Sequence, residues 1–286
     1  MYFEPMLFEG SECRDGGLKE NNPLQVAIIE AKTIWGTEVP FDTVISIGTG
    51  YTNRPQSNAP EVTSQHWLKA LFEAFIENMN GEAAWRKFKA TTDPILMGRV
   101  CRLNVRLDDG EEPALDDVGR ITQMETLAAN YRFQRMSPTD GFAPVSGRVS
   151  NDLLEVLAAR IRASQYFFEP RCINDHEDVT VVEGWICCRF LPYDSQFKQL
   201  IRKTSAFRVK ESTIIPDLAS DKQLRLDVQI QQQTSQDSAP LRIDVKFEHD
   251  YFVSISGFPM TLKVSKPLRF CIHSTNLILS HPFSRL

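Results

Sequence analysis

Two kinds of hydrophobic pattern divide this chain. Up to about residue 165, apolar positions recur at helical spacing, broken by short strand-like runs. Beyond it they alternate with a period of two. The first helix is well marked. Asn21 and Asn22 offer side-chain caps, Pro23 suits a first turn, Leu24, Ala27, Ile28, Ala31 and Ile34 share one stripe, and Gly36 ends it. Thr43–Ile47 is an apolar run closed by Gly48-Thr49-Gly50, which predicts a strand buried on both faces of a parallel sheet. Residues 51–62 read as a loop. A helix from about Thr63 carries Trp67, Leu68, Leu71, Phe72, Phe75, Ile76 and Met79, and a shorter one runs from Ala83 to Lys89.

Over 99–107, Cys101, Leu103, Val105 and Leu107 alternate with Arg102, Asn104 and Arg106. That predicts a strand with one face in water, at or near a sheet edge. Asp116 and Asp117 precede a helix bearing Val118, Ile121, Met124, Leu127 and Tyr131. Residues 136–148 hold two prolines and two glycines and read as an exposed loop, and Ser150 caps a last helix with Leu153, Leu154, Leu157 and Ile161. In the second part, Val179–Leu191, 224–231 and 241–247 read as strands, Asp194–Lys203 as one short helix, and 234–240 as a polar turn. Further strands are expected near 251–256, 261–264 and 268–272. The expected organisation is a mixed helix-and-strand domain over 1–165 and a small β-rich, sandwich-like domain over 166–286.

Composition narrows the functional classes. With 286 residues, 42% hydrophobic and 24% charged, the chain has the balance of a globular protein rather than a disordered or fibrous one. Its formal charge is 32 − 37 = −5, which gives no basic footprint for nucleic acid. No apolar run reaches the ~18 residues of a membrane-spanning helix, and MYFEPMLFEGSE has neither the basic nor the apolar region of a secretory leader. An intracellular location follows as the expectation, cytoplasmic or peripheral to membranes. The six cysteines, Cys13, Cys101, Cys172, Cys187, Cys188 and Cys271, form no dense framework and read as reduced thiols. Cys172, His176, Cys187 and Cys188 match no common zinc spacing, so no metal and no cofactor are expected. His66, His249, His273 and His281 show no paired spacing either.

The segment that carries chemistry is Asp15-Gly16-Gly17-Leu18-Lys19-Glu20-Asn21-Asn22-Pro23. Asp followed by Gly is the ordinary composition of a turn, in which Asp accepts backbone N–H groups and Gly supplies positive φ. The same residues also suit a carboxylate that a second backbone or a substrate approaches closely, where it orients a nucleophile and takes its proton.

The whole arrangement resembles the patatin-like phospholipase family: D-G-G-L, then N-N-P, an amphipathic helix ending in Trp35-Gly36, and I-S-I-G-T-G over Ile45–Gly50. Ala114–Val118 (A-L-D-D-V) and the Trp67-Leu68 helix are similar to the large fungal-type members. The resemblance is specific over Tyr2–Gly50, looser to about Gln165, and weak beyond. It implies an α/β/α fold and serine-dependent hydrolysis of lipid or phospholipid esters. Asp15 then corresponds to the dyad base, and Gly16 and Gly17 to its motif glycines. Two family features are missing. No serine has glycines two before and two after it, so the G-x-S-x-G elbow is absent, and so is the glycine-rich oxyanion loop. The implied fold is therefore a truncated patatin-type domain that holds the Asp without the Ser. Without nucleophile and oxyanion donors, this chain alone is expected to be inactive. The alternative is a non-catalytic interaction or membrane-associating module derived from that family. The sequence names no partner for residues 166–286.

Overall fold

The computed structural model describes residues 5–13, 20–37, 39–52, 81–107, 117–133, 152–176, 179–216, 223–233, 240–248 and 251–260. The expected elements at 63–79, 136–148, 261–264 and 268–272 lie outside them, as do Asp15, Gly16, Gly17, Asp116 and Ser150. The chain divides into two compact units, Met1–Ala143 with Ser150–Glu155, and Pro144–Val149 with Val156–Leu286. Among the described residues, no helix is long and apolar enough to cross a membrane.

The first unit opens with a hairpin of β1 (Met6–Phe8) and β2 (Ser11–Cys13), turned by Glu9 and Gly10 at positive φ. Helix α1 (Leu24–Trp35) begins where its sequence predicts. The Asn22 side chain accepts the Leu24 N–H at 3.3 Å, and the Pro23 carbonyl accepts that of Ala27 at 2.8 Å. Gly36, at φ 96°, ends the helix with its N–H on the Lys32 carbonyl. Strand β3 (Val44–Ile47) then pairs in parallel with β4 (Val100–Leu103), Val44 opposite Val100 and Ser46 opposite Arg102. Between the strands in sequence come α2 (Gly81–Thr91) and α3 (Pro94–Met97), the latter capped by Asp93 accepting from the Leu96 N–H. A small core of Leu24, Ile28, Phe88 and Val100 joins α1, α2 and β4, with Trp85 stacked on Phe88. A 3-10 turn (Val118–Arg120) leads into α4 (Ile121–Asn130), whose expected apolar stripe is only partly covered: Val118 and Ile121 are exposed.

Two strand expectations are corrected. β3 is not buried on both faces. Val44 packs toward the core and Ser46 is buried, but Ile45 and Ile47, on the opposite face, are 39% and 78% exposed. Half of its apolar pattern is therefore exposed, and among the described residues β3 has one strand neighbour, β4. On β4 Arg102 does not face water: its side chain is 8% exposed, because a carboxylate and a hydroxyl meet it inside, whereas Arg106, beyond the strand, is exposed as expected.

The Asp152 carboxylate accepts the Leu154 N–H at the start of α5 (Leu153–Ala163), a helix whose first three residues belong to the first unit and the rest to the second. Ala159 and Ala163 of this helix lie in the second unit's core, so its packing sets the unit boundary ahead of the change of period at 165. β5 (Tyr166–His176), β6 (Val179–Cys188) and β9 (Arg225–Gln233) form one antiparallel sheet in the order β5-β6-β9. β7 (Ala206–Val209), β8 (Ser212–Ile214), β10 (Ile243–Lys246) and β11 (Phe252–Ser254) form another, ordered β11-β10-β7-β8. Helix α6 (Ser195–Lys203) precedes β7. Both sheets and both helices feed one core that includes Tyr166, Ile186, Phe207, Ile230 and Ile243. Inside it the Tyr166 hydroxyl bonds Thr204 Oγ1 at 2.7 Å, which satisfies both buried groups.

Candidate functional site

The site grows from the parallel pair in the first unit. In open α/β sheets, the carboxyl ends of the strands are where chains diverge and crevices form. Here β3 runs into Gly48-Thr49-Gly50 and β4 into Asn104. Pairing resumes beyond them, with Tyr51 N–H on the Val105 carbonyl and Leu107 N–H on that of Tyr51. A Cβ at position 48 would overlap the Asn104 side chain and displace it, and position 50 favours glycine because φ is +115°. Asn104 fills the interruption, its Oδ1 accepting the Gly50 N–H at 2.8 Å.

A chain of polar side chains extends from that point. Asn104 Nδ2 and Arg102 Nε both donate to Glu82 Oε1, each at 2.6 Å. Arg102 Nη1 donates to Ser46 Oγ at 2.8 Å, and Ser46 Oγ donates to Asn22 Oδ1 at 3.2 Å. Asn22 Nδ2 reaches the Gly81 carbonyl at 3.4 Å. One network thus ties the start of α1, the end of β3, the start of α2 and the end of β4. The charge of Arg102 is tolerated out of water because Glu82, itself 21% exposed at its side chain, balances it at hydrogen-bond distance. Tyr51 lies beside the network. Burial raises its hydroxyl pKa, and the neighbouring Tyr131 and Glu82 push it the same way.

These groups border a cavity of about 550 Å³ lined on its polar side by Asn22, Ser46, Glu82, Arg102 and Asn104, and on its apolar side by residues that include Leu24, Leu107 and Met124. Asn21–Leu24, the segment that follows Asp15-Gly16-Gly17 in sequence, lines part of it. The three motif residues fall outside the described residues. Ser46 is the serine of the cavity, but its oxygen accepts from Arg102 while its proton goes to Asn22. Its hydroxyl thus links β4 to the start of α1.

Glu82, Arg102 and Asn104 were not singled out by the sequence. The one available signal was a cation inside an otherwise apolar run beside β3, and alternation alone reads such a cation as facing water.

Elsewhere, Cys188 belongs to the second unit's core, and the Cys187 thiol faces the Glu169 carboxylate at 3.7 Å. Burial and that carboxylate push Cys187 up to about 11. Among the described residues, no three His, Cys, Asp or Glu side chains group as metal ligands. Ser256 is held by structure, its N–H on the Tyr166 carbonyl and its hydroxyl taking a bond from Arg189.

A family model described as Domain of unknown function (DUF8392) matches residues 209–268, within the second unit. No curated protein and no solved structure matches the chain.

Proposed function

We propose that residues 1–165 are the C-terminal portion of a patatin-type lipid acyl hydrolase domain, carrying the dyad base Asp15 without the nucleophilic serine, and that residues 166–286 form an appended β-rich module. The observation that carries this reading is the position of the cavity: it lies where the segment after D-G-G meets the carboxyl ends of two parallel strands, the first of them ending in I-S-I-G-T-G. The open face of β3 supports it as well, since an apolar strand with Ile45 and Ile47 bare suits a sheet whose second face a further layer covers. In the complete domain, a serine attacks the ester carbonyl while Asp15 accepts its proton. Backbone donors hold the oxyanion, and water releases the acyl group from the serine. This chain supplies the base and part of the cavity wall, and its setting is intracellular, in solution or at a membrane surface.

The test is a chromogenic short-chain ester assay on two proteins: the chain itself, and a product extended through whatever reading frame lies upstream of Met1. The chain alone is expected to match heat-killed protein. The extended product is expected to carry an in-frame G-x-S-x-G and to lose its turnover with Asp15→Ala. Turnover by the chain alone, or turnover of the extended product that survives Asp15→Ala, refutes the reading. A second reading is an interaction module on the same scaffold. It is favoured by the hairpin β1–β2, where Met6, Leu7 and Phe8 are all more than half exposed. An upstream frame closed by stop codons would favour it over the first.

A further inference from the structure

Sheet edges in natural proteins are blunted by shortness, proline, bulges or charge, because a bare edge pairs with any extended chain it meets. Most edges described here follow that rule. β8 and β11, which end the four-stranded sheet, have three residues each. β5, at one end of the three-stranded sheet, carries Pro170 and a register break between Pro170 and Cys172, with Glu169 and Arg171 exposed. β9, at the other end, has none of these protections. It runs nine residues without proline, glycine or bulge, in unbroken register with β6 from Cys187↔Arg225 to Val179↔Gln233. Its only charges are Arg225 and Asp227, both already engaged on its own sheet. Arg225 lies over the Trp185 ring, and Asp227 accepts the Trp185 indole N–H at 2.8 Å. Among the described residues, no strand follows β9 in the sheet order.

We propose that the outer edge of β9, over Arg225–Gln231, is a dimer interface that pairs antiparallel with the same segment of a second copy. The occupant is argued from the segment's complementarity to itself. A two-fold axis requires residues i and j of the two copies to lie on one face, so i + j must be even. With the axis at Val228, Leu226 meets Ile230 and Val228 meets Val228 on the core-facing side. On the outer side, Arg225 meets Gln231 and Asp227 meets Gln229. Every apolar residue then faces an apolar one, and no like charges oppose. Moving the axis to Asp227 sets the two aspartates against each other. Joining the copies this way makes one six-stranded sheet of two three-stranded ones. The inference is independent of the function proposed for the first unit.

Sedimentation velocity and light scattering on the full chain across concentrations test it, together with two substitutions at the exposed Gln229. Gln229→Lys places a cation opposite Asp227 of the other copy, twice by symmetry, and Gln229→Asp places an anion there. Cross-strand ion pairs of this kind shift the dissociation constant by about two- to thirty-fold when counted twice. The expected result is a dimer that Gln229→Lys tightens and Gln229→Asp loosens, with each variant's unfolding midpoint confirming that the protomer is folded. A chain that stays monomeric at all concentrations overturns the proposal, and means that another segment or a different protein covers the edge. A dimer that both variants loosen, or that neither affects, overturns it equally. A cysteine pair keeps the proposal testable should Gln229→Asp misfold beside Glu183. Mixed Asp227→Cys and Gln229→Cys chains are expected to cross-link to each other more than either does to itself, and equal yields refute the register.

Discussion

Replacing Arg102 by Met should expose how the polar network is held. The side chain is 8% exposed and makes two bonds, to Glu82 at 2.6 Å and to Ser46 at 2.8 Å. Methionine fills similar volume, so the cost comes from the groups left behind. Stranding one member of a buried ion pair costs about 3–5 kcal/mol. Glu82 is 21% exposed and borders the cavity, so water reaches it in part and the lower end applies. Ser46 keeps its bond to Asn22 and adds little. The expected loss is about 3 kcal/mol for the first unit. The diagnostic is the second substitution. Glu82→Gln alone strands the guanidinium and should destabilise. Added to Arg102→Met it removes a part-buried charge that has lost its guanidinium and should restore about 1 kcal/mol or more. The sign of one substitution therefore inverts with its background. Urea titration with hydrogen-exchange mass spectrometry, read on peptides covering 99–107, isolates this unit from the other. A loss under ~0.5 kcal/mol for Arg102→Met, near the noise of a surface substitution, would refute the reasoning. So would strict additivity of the two changes.

Other outcomes can be checked on the same protein. Gly184→Ala in β6 should destabilise the second unit by about 1–3 kcal/mol, because the new methyl overlaps the Glu169 carbonyl and the Phe168 ring, and backbone cannot yield as a side chain can; thermal unfolding measures it. Gly48→Ala should do milder harm, since Asn104 can turn away, at the cost of its bonds to Gly50 and Glu82. Among the five cysteines of the described residues, native thiol labelling mapped by mass spectrometry should find exposed Cys13 first, then Cys172, and leave Cys101, Cys187 and Cys188 unmodified until the chain unfolds. Alkaline pH should weaken the second unit. The Cys187 pKa is raised from 9.0 to about 11, so the folded state holds its proton where the unfolded one releases it, and stability falls as pH climbs from 9 toward 11. Urea midpoints that stay level over that range would contradict this.

Elements governed by local pattern were legible in the sequence. α1, α6 and β9 carry caps or an unbroken period that tertiary packing did not override. β5 was missed because its period breaks: Pro170 sits inside it, and the register slips before Cys172. β8 was missed because three residues after a positive-φ Lys210 leave no periodic signal. The site was less legible than the fold. An arginine alternating with apolar residues reads as solvent-facing, and it is inside only because a carboxylate twenty positions away in sequence arrives beside it on α2. No local pattern encodes that meeting. The Asp15 motif stands apart, since its reading rests on resemblance and the described residues begin again just after it.

β3 joins these threads. Its sequence asks for cover on both faces, yet Ile47 is 78% exposed while Ser46, its neighbour, is 7% exposed. Strands with such a pattern occur inside parallel sheets, where further strands and helices cover them. If the chain is part of a larger α/β domain, the missing cover belongs to the rest of that domain. Ile47→Lys then has two different outcomes. In the chain alone the residue already meets water, so its loss should change stability by less than ~0.5 kcal/mol. In an upstream-extended product the same lysine would be forced under the added layer. Burying an unpaired ammonium, or peeling that layer away, should cost several kcal/mol. Paired chemical denaturation of the two proteins, each with and without Ile47→Lys, gives the comparison. An equal and small effect in both would mean that the bare face of β3 is the finished surface of this fold, and the fragment reading would lose its structural support.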